Sequence, residues 1–219
     1  MGTVTSTTDT TSPRRGRPGY DRDGMLEVIV AAFNDHGYDA TSLGIIAQRL
    51  GLSKSAVYHH FTSKEQMLEL ALEKALGALS DVFEAPEATT GPLELRIRFV
   101  LRGAVLVACE QLPYLTLLLR LRGNTEIERR AVERRRELDL RLRRLFEEAR
   151  EEGSLRDDID PGLAERLTFG LVNSIVEWYR PEGRFTPDEL ADTVVAFVRS
   201  GVRVSETGDF RGGSRPTGS

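Results

Sequence analysis

Apolar residues recur along the chain at the spacing of one helical face, and two early segments show the i, i+3, i+4, i+7 pattern most clearly. Their apolar positions are Leu26, Ile29, Val30 and Phe33, and then Leu43, Ile46, Ala47 and Leu50. No segment alternates apolar and polar residues as a half-buried strand does. The pattern therefore predicts an all-α protein of about nine helices.

Capping residues set the limits of these helices. Gly37 and Gly51 stand at helix stops, and Ser53 is a predicted N-cap for a short third helix that ends near Phe61. Ser63 and Gln66 form a predicted capping box for a fourth helix that runs to about residue 83. Residues 85–91 contain Pro and Gly and are predicted as a loop. The later helices are predicted over residues 92–111, 113–121, 125–152, 160–179 and 186–204.

The same patterns divide the chain. Residues 1–20 and 205–219 have almost no large apolar side chains, so we expect a disordered basic arm and a disordered tail. Residues 21–66 are expected to form an N-terminal three-helix domain, and residues 67–204 a larger helical domain.

The last two helices carry apolar residues on more than one side. On the first, Leu167 and Val172 fall on different faces, and Phe197 and Val198 do so on the second. A helix that is apolar on several sides must be buried on several sides. We therefore expect a second copy of the chain to cover one of these sides.

The composition of the chain restricts the cellular compartment and the binding partners that we expect. The single Cys109 excludes an internal disulfide and fits a reducing cytoplasm. No apolar run approaches the ~20 residues of a membrane helix, and the first residues lack the apolar core of a secretory signal. We expect a cytoplasmic protein. With a net charge of -4, any contacts that the protein makes with nucleic acid must be confined to a small basic patch.

The segment from Leu43 to Phe61, LGIIAQRLGLSKSAVYHHF, has the properties of a helix-turn-helix. Ala47 is small where two helices must approach, and Gly51 can adopt a positive φ in the turn. The helix that follows presents polar side chains on its outer face, where base edges and phosphates would be reached.

The arrangement of Ile46-Ala47, Gly51-Leu52-Ser53, Val57 to Phe61 and Ser63-Lys64-Glu65 resembles the DNA-binding domain of the TetR family of repressors. The resemblance covers about residues 21–72. It implies that residues 21–66 are the DNA-binding domain and residues 67–204 the ligand-binding and dimerisation domain. It also implies a homodimer on a near-palindromic double-stranded operator, with the last two helices, 160–180 and 187–204, forming the dimer interface. Where some members carry an Arg, this chain has Gly44.

The resemblance also implies which residues touch DNA. Thr41, Ser42 and Lys64 match phosphate contacts, and the recognition helix supplies the other contacts. Its candidates are Lys54, Ser55, Ala56, Tyr58, His59 and His60. In the arm, Arg14, Arg15 and Arg17 resemble a minor-groove hook, since narrow grooves attract Arg; a merely solvated tail is the alternative.

TetR-like repressors release DNA when a small molecule fills a cavity in the larger domain. The candidate residues for this cavity are Phe99, Leu106, Tyr114, Leu118, Arg120, Phe146, Asn173 and Trp178. The string Trp178-Tyr179-Arg180-Pro181 resembles members that control catabolic genes and respond to acyl-CoA thioesters. Asn173 has an alternative role, pairing with its symmetry mate.

Two other function classes stay open. One is a DNA-binding regulator without an effector, against which only the size of the larger domain argues. The other is an all-α enzyme, but the chain has no HExxH, no phosphate-binding loop and no Cys-x-x-Cys. We therefore expect no catalytic residues and no cofactor. We also expect no metal site, because the side chains of His59 and His60 diverge by ~100° on a helix.

Overall fold

The computed structural model describes residues 21–202, and it is all-helical there. Its ten helices are α1 (Arg22–His36), α2 (Leu43–Leu50), α3 (Lys54–His60), α4 (Lys64–Glu84), α5 (Pro86–Thr89), α6 (Leu93–Glu110), α7 (Leu112–Arg120), α8 (Glu126–Glu151), α9 (Pro161–Trp178) and α10 (Pro187–Val202). The all-α prediction is confirmed. The tenth helix is α5, in the segment predicted as a loop. It forms because Pro86 occupies a first-turn position, where its missing N–H costs nothing.

Local capping fixes the first three helices; the sequence predicts the stop at Gly51 and the cap at Ser53, but not the cap at Ser42. Ser42 and Ser53 accept hydrogen bonds from the backbone N–H of Ile45 and Ala56, at 3.3 and 3.2 Å. Gly51 ends α2 with a φ of 65°, a conformation that favours glycine. Beneath the turn, Ile46 and Val57 have no exposed surface. Apolar burial thus holds α2 against α1, and α3 packs against α2.

Helix α4 joins the two halves of the fold. It begins beside α3 and runs 21 residues into the larger domain, with Met67, Leu68 and Ala75 fully buried along it. Arg130 and Arg134 of α8 pair with Glu69 and Glu73 on its outer side. The larger domain therefore holds the helix that carries the DNA-binding domain.

Helices α6 to α10 build the larger domain around α6. Helix α10 packs along α6, and α9 packs on α8. Phe146 and Leu142 of α8 and Leu118 of α7 are completely buried in its core. No single helix among residues 21–202 is long and apolar enough to cross a membrane. Helices α6 and α7 reach that length only together, and they meet at a bend of 98°.

Helices α4 and α6 pack tightly against each other at Gly103. A Cβ atom built on Gly103 would lie 2.5 Å from Cγ1 of Val82. Val82 is β-branched and stiff, so it cannot move aside without strain. Only glycine therefore allows the two helices to pack at this distance.

We expect Gly103→Ala to lower the free energy of unfolding by about 1–3 kcal/mol, since the added methyl overpacks this contact. Urea denaturation at one protein concentration measures the change. Gly77→Ala in α4 is the matched control, because its nearest neighbour is a flexible Glu73 oxygen at 3.5 Å. The control should be neutral or stabilising. Equal effects of both substitutions would contradict the packing argument.

Candidate DNA-binding surface and effector cavity

The recognition helix α3 presents polar side chains outward from a buried anchor. Val57 has no exposed surface, whereas Tyr58 is 53% exposed. The other exposed polar residues of this helix are Lys54, Ser55, His59 and His60, and Ala56 is half-buried. The exposed set provides donors and acceptors outside the buried side of the helix, as base and phosphate contacts require.

Of the two residues before α2, only Ser42 is exposed, where it caps the helix. Thr41 is completely buried, and its hydroxyl donates to the carbonyl oxygens of Gly37 at 2.7 Å and Ala32 at 3.2 Å. Its backbone N–H is also bonded, to Gly37 and Tyr38. Thr41 is therefore a structural residue of the turn, and the expectation of a phosphate contact from its side chain has to be corrected.

Lys64 lies at the start of α4 but points back to the turn that precedes α2. Its Nζ donates to the carbonyl oxygens of Tyr38 at 2.9 Å and Asp39 at 3.4 Å. It also lies 4.3 Å from the centre of the Tyr38 ring, a cation–π geometry. Burial, with smaller contributions from Glu65 and Asp39, raises the pKa of Tyr38 to about 12, which keeps the phenol neutral. In this structure Lys64 holds the turn in place.

A second link holds α2 on α1. Arg49 pairs with Asp35 at 2.8 Å and bonds Nε2 of His36 at 3.0 Å. No sequence pattern indicates this link, because the three residues have no motif spacing. The arm residues Arg14, Arg15 and Arg17 lie outside the described residues.

A central cavity lies in the larger domain among α4, α6, α7, α8 and α9. Leu118 and Asn173, both predicted as ligand residues, line it together with Phe83, Arg135 and Asp139. Its volume is only about 20 Å³, which is space for about one water molecule. An effector would enter only after these helices separate.

Two acidic side chains lie at the seam of α8 and α9. Burial raises the pKa of Asp139, opposed by Arg135 and Arg136. Burial and then the charge of Asp139 raise the pKa of Glu165, which is only 8% exposed. The sequence did not single out these carboxyls, since both fall in stretches rich in charged residues.

The remaining ligand candidates are dispersed. Phe146 lines a second cavity between α6, α8 and α10. Phe99 and Leu106 are half-buried on α6 and line neither of these two cavities. Trp178 is 48% exposed at the end of α9, where its Nε1 donates to the Ser174 hydroxyl at 3.4 Å. The structure does not bring the eight candidates together at one site.

Tyr114 and Arg120 lie on α7 toward the DNA-binding domain. Tyr114 is buried, its hydroxyl has no hydrogen-bond partner within residues 21–202, and the Lys74 ammonium lies 5.2 Å from its ring centre. Arg120 donates to the carbonyl oxygen of Asn34 in α1 at 2.9 Å. The Asn34 amide in turn donates to the carbonyl of Pro113 at 2.9 Å. Helix α7 is thus hydrogen-bonded directly to α1.

An interdomain cleft of about 380 Å³ lies between α1 and α7, with Tyr38 on one side and Arg120 and Arg122 on the other. The buried Glu128 also lines this cleft, and its carboxylate accepts hydrogen bonds from the backbone N–H groups of Gly123 and Asn124 at 3.1 and 3.0 Å. Among the residues that the structure describes, no three His, Cys, Asp or Glu side chains converge to hold a metal ion.

Comparison with known proteins gives two family matches. Residues 25–71 match the family described as bacterial regulatory proteins, tetR family, and residues 90–202 match the Tetracyclin repressor-like, C-terminal domain. Two curated relatives are HTH-type transcriptional repressors KstR2. The one from Rhodococcus jostii is 30% identical over 89% of this chain and 95% of its own length. The one from Mycolicibacterium smegmatis is 27% identical over 87% and 94%.

Solved structures agree with this assignment. A member of the TetR transcriptional regulator family from Streptomyces coelicolor is 44% identical, with a TM-score of 0.76 over 82% of this chain and 91% of that one. AibR, solved in complex with isovaleryl coenzyme A and operator DNA, shares the fold at 24% identity and a TM-score of 0.64, over 80% of this chain and 96% of that one. This chain therefore belongs to the TetR family, whose members are DNA-binding transcriptional regulators and not enzymes.

Proposed function

We propose that this protein is a ligand-responsive repressor that binds a near-palindromic operator as a homodimer. The exposed polar face of α3 carries this proposal, since it presents Lys54, Ser55 and Tyr58 on a rigid, buried base. In a two-fold dimer the two α3 helices would enter successive major grooves, ~34 Å apart.

The dimer is supported by apolar side chains left exposed on α9 and α10. Leu163, Leu167 and Trp178 are 52%, 66% and 48% exposed along one stripe of α9, and Phe197 on α10 is 70% exposed. Gly170, on the same helix, has no neighbouring atom within 4 Å of a Cβ built there. Large exposed apolar groups at helical spacing are typical of a protein interface.

The link between effector and DNA is supported by what α4 and α7 touch. Leu79 and Phe83 of α4 line the central cavity, while the first turn of α4 holds the turn before α2 through Lys64. Helix α7 lines the cavity with Leu118 and bonds α1 through Arg120. An effector that forces the cavity open would therefore displace both helices and change the separation of the two recognition helices.

The proposed effector is an acyl-CoA thioester. Its acyl group would enter the central cavity, and its phosphates would lie in the interdomain cleft, on the other side of α7, where Arg120 and Arg122 stand. Arg122 is exposed and pairs with no other described residue, so its guanidinium is available to a phosphate. The small volume of the closed cavity favours one alternative, a regulator that has no effector.

For the operator contact, we expect Lys54→Ala to weaken binding and to lower the slope of log affinity against log salt by roughly one, the loss of one phosphate contact. Fluorescence anisotropy with a labelled operator at several salt concentrations measures both. Arg144→Ala, on an exposed residue of α8 far from α3, is the control of equal charge. An unchanged slope for Lys54→Ala would show that Lys54 does not contact the operator.

For the N-terminal arm, we expect a chain without residues 1–18 to bind the operator more weakly and with a smaller salt dependence, because the arginines of the arm would no longer contact DNA. The same titration measures both, and an unchanged binding curve would rule out an arm contact.

For the dimer, we expect Leu167→Glu combined with Phe197→Glu to give monomers, because two carboxylates would be buried without partners. Sedimentation velocity reads the mass, and operator affinity should fall roughly a hundredfold, since the two half-sites are no longer linked. Leu140→Glu, at an apolar residue of α8 that is 50% exposed, is the matched control. A dimer that survives the double substitution would place the interface elsewhere.

For the effector, we expect acyl-CoA thioesters to release the labelled operator, and Arg122→Ala to raise the concentration required by about tenfold. Arg136→Ala, on an exposed arginine outside the cleft, should leave the titration unchanged. Release by free CoA alone would exclude an acyl-reading site. No release by thioesters of any chain length would support the effector-free alternative.

A further inference from the structure

A second cavity lies at the end of the larger domain, between α6, α8 and α10, and no step of the proposed mechanism uses it. It has a volume of about 270 Å³, against about 20 Å³ for the central cavity. Leu101, Phe146 and Leu155 form its floor, each with 2% or less of its surface exposed. Val195 and Val198 form the α10 wall. We refer to it as the distal cavity.

Its size and lining set the class of occupant. A cavity of ~150 Å³ lined by Leu, Ile and Phe is large enough to hold benzene and stays free of water. The distal cavity is larger and has the same kind of lining, but it opens to the surface on one side. An apolar chain or ring would therefore be buried there, and the remaining part of the molecule would reach the rim.

The rim is polar and carries a net positive charge. Glu94 and Arg199 lie there and pair with each other at 3.6 Å. One turn along α6, Arg98 is exposed and forms no ion pair with any described residue. A guanidinium that is unpaired among residues 21–202 and lies beside an apolar cavity is suited to a carboxylate, which it binds with two parallel hydrogen bonds.

The two cavities are separate. Ala104 of α6 lines the central cavity, and Leu101, less than one turn earlier, lines the distal one. The distal cavity has no wall from α4 or α7, the helices that touch the DNA-binding domain. It does share α10, whose opposite side carries the exposed Phe197.

We propose that the distal cavity binds an amphipathic monocarboxylate, with its alkyl part against Leu101, Phe146 and Val198 and its carboxylate on Arg98. This site is distinct from that of the thioester effector. An occupant would press on α10 from the side opposite Phe197, and so would act on the dimer surface directly.

The test is isothermal titration calorimetry of the full chain with decanoate, below its micelle concentration. We expect one decanoate per chain, with Arg98→Gln weakening binding by about tenfold. Decanol and decyltrimethylammonium have the same chain without the negative charge and should bind more weakly than decanoate to the wild type. Arg144→Gln, at an exposed arginine that lines neither cavity, should leave the affinity unchanged.

Two cavity-filling variants test the position of the alkyl chain. Val198→Phe fills the α10 wall and Ala149→Leu the α8 wall, and each should abolish decanoate binding while circular dichroism and the melting temperature show a folded protein. Because the two substitutions are on different helices, misfolding of one leaves the other to decide. No binding of decanoate to the wild type, binding that both variants retain, or binding of decanoyl-CoA alone would overturn the proposal.

Discussion

The unbroken burial of α4 is the constraint on which the rest of this structure depends. Its 21 residues form one helix, which is held by Met67 and Leu68 near the DNA-binding domain and by Leu79 and Phe83 in the larger domain. A helix without a break transmits displacement along its length instead of absorbing it. Events at the central cavity and at the recognition helix therefore share one rigid element, and Gly103 sets how closely α6 can support it.

Charge has two different uses in this acidic chain. Many arginines form ion pairs within the fold. Arg130 pairs with Glu69, and Arg102 pairs with Asp188 and Asp192. Lys64 donates hydrogen bonds to backbone carbonyl oxygens. These groups hold helices together at little net gain in stability, since exposed pairs contribute little each. Groups without such partners stand out against that background. Among the described residues, Lys54 on α3, Arg122 in the interdomain cleft and Arg98 at the distal cavity are exposed cations of this kind that lie at a proposed binding site.

The cavities separate two ways in which a small molecule can act on this fold. The central cavity is nearly closed, so a ligand could enter it only by displacing the helices that line it. Because α4 and α7 are among these helices, ligand binding would be coupled to their positions. The distal cavity is open as it stands, and its walls are α6, α8 and α10. A ligand there would meet little resistance and would act on the proposed dimer surface rather than on α4. With both proposed sites occupied, the larger domain would respond to two ligands through different helices.

The sequence by itself determined the features that depend on residues close together in the chain. Apolar periodicity predicts nine of the ten helices of the described residues. The cap at Ser53 follows from a hydroxyl three residues before the backbone N–H that it serves, and the stop at Gly51 from the positive φ that glycine can adopt. The resemblance in residues 21–72 was likewise a matter of local spacing, and the family match over residues 25–71 confirmed it. The helix α5 was missed because a single turn is too short to show a period.

Only the tertiary structure decided what depends on distant partners. Thr41 is turned inward by carbonyl oxygens of the preceding helix and turn, and Arg120 is bonded to a residue 86 positions away. The eight ligand candidates were divided between two cavities, an interdomain contact and the surface, because apolar residues on a helix show no difference in sequence between a filled core and an empty space. Cavity volume is a property of how all the surrounding side chains pack, and no local pattern encodes it.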